Sequence, residues 1–138
     1  MRRVQTILFS VFLLAFSAAL LPASPMSDFQ ARLAQTQWNI QIVEGLVKRQ
    51  RASRREASAP ESIESFLQLL AENVGALTAF SSSKVTDEQS RVIAEGIRTI
   101  AGELRDLTAL ISHRGFSSAA AEAQRLETTC RVAIADTD

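Results

Sequence analysis

Apolar positions recur at steps of three and four through most of this chain, and four stretches carry the spacing of a helix with one buried face. The steadiest run is Ile93, Ile97, Ile100, Leu104, Leu107 and Ile111, which predicts a helix over 87–114. Thr86-Asp87-Glu88-Gln89 opens it, because a threonine followed three residues later by glutamine satisfies two orphan amides reciprocally. His113 and Arg114 put positive charge at the negative end of the helix dipole, and Gly115 suits the left-handed residue that closes a helix.

Two segments precede it. Phe29, Leu33, Ile40, Val43 and Val47, supplemented by Trp38, Ile42 and Leu46, predict a helix over 27–51 with a broad apolar face, started by the Ser27 and Gln30 pair. Ile63, Phe66, Leu70, Leu77 and Phe80 predict a second over 60–81, with Pro60 in the first turn and Glu61 and Glu64 complementing the dipole. Asn73 interrupts that stripe, and a single asparagine there fixes register between helices more often than it binds a ligand. Downstream, Ala119, Ala123, Leu126, Cys130 and Ala133 predict a helix over 117–135 whose narrow, small-residue stripe permits close approach at the cost of apolar area. Strand patterns are absent. Four helices on short loops imply an all-α fold, an antiparallel up-down-up-down four-helix bundle with stripes inward. Glu44 with Lys48 and Glu127 with Arg131 have the favourable order for surface pairs four apart.

The first residues follow a different pattern. Met1-Arg2-Arg3, an uncharged apolar run from Ile7 to Leu21 and the small-residue stretch Pro22-Ala23-Ser24-Pro25 are the three parts of a secretory signal peptide. A retained anchor wants about 20 apolar residues, whereas the run from Val4 to Ala23 includes Gln5, Thr6, Ser10, Ser17 and Pro22. Cleavage between Ala23 and Ser24 is the favoured reading. It makes 1–23 the signal, 24–138 the bundle, and the destination periplasmic or secreted.

Beyond the cut lie thirteen basic and fifteen acidic residues, a net charge of −2 that argues against a nucleic-acid binder. Cys130 is the only cysteine, so no intramolecular disulfide can form. It is a buried apolar filler, an intermolecular bridge or a relic. His113 is the only histidine and pairs in sequence with no nucleophile. The carboxylate pairs Glu61 with Glu64, Asp87 with Glu88, and Glu103 with Asp106 lack the Glu-x-x-His of di-iron bundles. No catalytic, cofactor-binding or metal-ligating residue is therefore assigned.

The stretch Ala119-Ala120-Ala121-Glu122-Ala123-Gln124-Arg125-Leu126-Glu127-Thr128-Thr129-Cys130 resembles the last helix of soluble cytochrome b562 and the class II cytochromes c. That resemblance implies an exported haem-carrying four-helix bundle. The haem-ligand pattern departs from it: aligned on Cys130, Ala133 replaces the second attachment cysteine and Ile134 the axial histidine. Met26 lies ahead of the first helix, and no histidine follows His113. What the resemblance implies is thus a haem-less relative.

Two features remain. Lys48, Arg49, Arg51, Arg54 and Arg55 place five cations within eight positions, either a solvated helix end or a contact for an anionic surface. Gly45, Gly75, Gly96 and Gly102 each cost a helix about 1 kcal/mol relative to alanine, which close packing offsets more often than space for a flat ligand does. The resulting expectation is a non-enzymatic binding or interaction module whose partner is an unidentified protein or small ligand. Membrane contact would come only through the signal segment or weakly through the basic loop. Its alternatives are a haem electron carrier with atypical ligation and a membrane-anchored structural protein.

Overall fold

The structure, a computed structural model, describes residues 25–50 and 61–137, and all of its regular structure is helical. Helix α1 spans Pro25–Arg49, α2 Glu61–Thr78, α3 Asp87–His113 and α4 Ser117–Thr137, with a 3-10 turn over Ala79–Ser82 extending α2. The predicted signal segment and its expected cut between Ala23 and Ser24, together with Pro60 and the cations Arg51, Arg54 and Arg55, lie outside the described residues. None of the described helices is long and apolar enough to cross a membrane.

Local chemistry explains the boundaries. At the start of α3 the Thr86 amide donates to Gln89 Oε1 at 3.1 Å, and the Gln89 amide donates to Thr86 Oγ1 at 3.2 Å. At its end Gly115 adopts a φ of 92°, the left-handed conformation that glycine reaches without a Cβ clash. The Gly115 amide then donates to the Ser112 carbonyl and the Phe116 amide to that of Ile111, which satisfies two carbonyls at the helix end. Phe116 and Ile111 are both buried, so the turn is also tied into the core. Helix α1 begins two residues earlier than its serine signal predicts. Pro25 takes the opening position, where a missing N–H costs nothing, so Ser27 falls inside the first turn and Met26 is a residue of α1 rather than lying ahead of it.

All six predicted seam residues of α3 and all five of α4 are buried. In α2 the seam is Ile63, Leu67, Leu70, Val74 and Leu77, with Phe66 half-buried at its edge and Phe80 carried into the 3-10 turn. The Phe80 ring meets Phe29 edge-on at 5.5 Å between centroids, which places the end of α2 beside the start of α1. Those two helices therefore run in opposite directions.

Helix α3 makes its most extensive contact with α4, α1 packs on both α2 and α3, and α2 packs on α4. Small side chains explain the intimacy of the first pair, since Ala119, Ala120, Ala123 and Ala133 bring α4 close to its neighbour. Gly96 of α3 lies against Phe29 of α1, and Gln37 of α1 bonds Glu103 of α3. Both helices advance in the same direction between these contacts, so α1 and α3 are parallel neighbours. This differs from the expectation that consecutive helices are neighbours throughout, because α2 and α3 share no substantial interface. The 3-10 turn and the extended residues up to Thr86 supply the length for that crossing, and the turn packs on α2, α3 and α4 as it passes.

Candidate functional site

Cys130 is fully buried and unbonded, and burial, reinforced by Glu127, pushes its thiol up to about 12. A thiol of that kind forms almost no thiolate at neutral pH and behaves as an apolar core side chain. Ala133 and Ile134 are buried beside the same helix seam. His113 is exposed in the last turn of α3. Among the described residues no three His, Cys, Asp or Glu side chains converge as a metal site requires.

Polar groups do enter the core, mostly from α1. Thr36 is fully buried and donates its hydroxyl to the Arg32 carbonyl at 2.7 Å, one turn back in its own helix. Asn39 and Asn73 are also buried, and the Nδ2 of each has no acceptor among the described residues. Asn39 lies ten residues beyond Phe29 and Asn73 seven before Phe80, about 15 Å and about 11 Å along their helices from the ring contact. The antiparallel register thus brings them to the same level of the α1–α2 seam within one turn. The sequence pattern marks Asn73 and misses Asn39.

Glu103 is the third polar intrusion. It is half-buried on α3 and accepts a hydrogen bond from Gln37 Nε2 at 3.2 Å, a side-chain bond that ties α3 to α1. Burial raises its carboxyl above the ordinary value, the Gln37 bond opposes this, and Glu44 and Asp106 add repulsion in the same direction as burial. Neither residue of this bridge stands out in the apolar pattern, because polar residues at the edge of a stripe read as solvated.

Of the four helix glycines only Gly96 is required by a close contact. A Cβ on Gly45, Gly75 or Gly102 would meet nothing within 4 Å, so close packing does not explain those three. Of the basic cluster, Lys48 and Arg49 are described and exposed. Lys48 Nζ lies 3.7 Å from Glu44 Oε1, while Gln50 donates to the Val47 carbonyl as the helix ends.

Trp38 is the main departure from the predicted core. The pattern counts it with Ile42 and Leu46 in the buried face, yet it is 49% exposed. At about 100° per residue Trp38 points about 160° away from Ile40 two positions on, and Ile40 is buried. Ala31, Gln35, Trp38, Ile42, Gly45 and Arg49 form the outward face of α1, opposite the seam of Phe29, Ile40, Val43 and Val47. That outward face carries exposed Gln35 and Gln41 on either side of Trp38 and ends in Arg49. No family model matches this chain, and neither a curated protein nor a solved structure does.

Proposed function

We propose that this chain is exported and works as a non-enzymatic interaction module: a small helical bundle of two antiparallel hairpins, α1–α2 and α3–α4, set side by side with α1 parallel to α3. The observation that carries this reading is the contrast between the two faces of α1. Its inner face closes an interior of packed apolar side chains, with the thiol deep in the core and the imidazole on the exposed last turn of α3. Its outer face keeps Trp38 half in solvent, where a large aromatic is available to a binding partner.

Export is supported by the cationic, apolar and small-residue order of the first 25 residues. Expression of the full chain in an exporting bacterial host tests both parts. The expected product comes from the periplasm or medium, is colourless, and has a mass lacking residues 1–23. A band in the Soret region would replace the module with a haem carrier. A full-length mass in the membrane fraction would replace it with an anchored protein.

A further inference from the structure

Between Arg32 and Arg55 the chain holds six cations and a single acid, Glu44, in a protein with no net charge overall. Glu44 lies on the flank of α1 toward α3, near Glu103, and the outward face from Ala31 to Arg49 carries no carboxylate. Along that face Trp38 is half exposed, Ile42 is partly exposed one turn later and Arg49 is exposed at the end, with exposed Lys48 about 80° round toward the Glu44 flank. The Lys48–Glu44 pair is itself open to water on both sides, 60% and 43% exposed, so solvent competes with it and the ammonium can turn elsewhere. A half-exposed tryptophan at mid-helix, Ala34 and Ile42 one turn to either side of it and cations about 15 Å further along are what a bilayer interface accepts: the ring at headgroup depth, the alkyl groups below it and the charges on phosphate.

We propose that the outward face of α1, centred on Trp38 and Ile42 with Lys48 and Arg49, docks flat on an anionic lipid bilayer. The inference rests on the interaction-module reading and names its partner. The face from Ala31 to Arg49 ends in a cation and carries no carboxylate, which matches anionic headgroups, and pairing with a second copy is an outcome that the test reads.

The full exported protein is mixed with vesicles of phosphatidylglycerol in phosphatidylcholine and with vesicles of phosphatidylcholine alone, and binding is read by co-sedimentation and by emission. Trp38 is the only tryptophan, so its emission reports this face directly. The expected result is sedimentation with anionic vesicles only, a blue shift of the emission, and weakening of both by salt. Lys48→Gln with Arg49→Gln lowers partitioning roughly tenfold or more, and Trp38→Ala, read by sedimentation, lowers it about tenfold. Arg125→Gln and Val132→Ala, on exposed positions of α4, bind like the parent. Failure to bind anionic vesicles at low salt overturns the proposal, as do α1 variants that bind like the parent. A blue shift that grows with protein concentration in the absence of lipid assigns the face to a second copy instead. A colourless protein of cleaved mass that ignores vesicles sinks the lipid partner and leaves the module reading standing, whereas a haem band or a full-length mass sinks the module reading itself.

Discussion

Gly96 of α3 packs directly under the Phe29 ring of α1: a Cβ built on Gly96 would stand 2.7 Å from Phe29 Cζ and 2.9 Å from Cε1. The ring cannot yield easily, because it is fully buried and packs against Phe80 at 5.5 Å between centroids. Gly96→Ala therefore destabilises the protein by about 1–3 kcal/mol, even though alanine favours the helix by about 1 kcal/mol. Gly75→Ala, on an exposed position with open space around it, raises stability by about 0.5–1 kcal/mol. Urea unfolding followed by circular dichroism reads both, and equal effects of the two would mean that α1 and α3 are not in this contact.

The thiol of Cys130 should be silent in the folded protein. An aromatic disulfide reagent at pH 8 reacts with it only as fast as the protein unfolds, and at once in denaturant. The alkaline limb follows from the same burial. The folded chain keeps this proton up to about 12 while the unfolded chain releases it near 9.0, so over that window the unfolded state binds fewer protons and stability falls as pH rises. Cys130→Ala shows a flatter fall over the same range. Rapid labelling of the native protein would place the thiol at the surface.

Glu103 gives a slope on the acid side. Its carboxyl is raised above 4.5, so just above that pH the folded chain holds a proton that the unfolded chain has lost, and stability declines as pH rises through the window. Glu103→Gln removes this component and keeps a hydrogen-bonding partner for Gln37. The variant is expected to be at least as stable as the parent at pH 7, read from thermal unfolding at a series of pH values. A large loss at pH 7 would show that the carboxylate is needed as a charge.

Asn39 and Asn73 test what sets the register of α1 and α2. Each buried amide without a partner costs about 1–3 kcal/mol. Asn39→Leu with Asn73→Leu therefore leaves stability unchanged or higher, while two apolar side chains in place of buried amides permit alternative pairings of the hairpin that a polar group in the seam disfavours. Broadened or doubled amide resonances in the double variant, against one set in the parent, are the expected signature.

How far the fold could be read ahead of the structure depends on how each contact is encoded. The stripes of α3 and α4, the Thr86–Gln89 cap and the Gly115 stop are local, and each was readable because neighbouring residues carry the whole cause. The partner of a stripe is not local: apolar spacing says that a face is buried and not by which helix, so the parallel contact of α1 with α3 had no signal before Gly96 met Phe29. Trp38 shows the opposite failure. Its type suggests the core, while its angle from Ile40 already excludes it from the same face. The Gln37–Glu103 bridge was invisible because both residues look like surface. The outward face of α1 was legible only in its cationic end.

The account rests on chemistry being closed off inside and binding surface being kept outside, and the single tryptophan reports that division. Acrylamide quenching of Trp38 in the folded, lipid-free protein should be at least half as efficient as in the unfolded chain, with emission typical of a partly hydrated indole, as its 49% exposure requires. A native emission that is blue-shifted and resists the quencher would mean that α1 turns Trp38 into the core, and it would contradict both the packing and the proposed function.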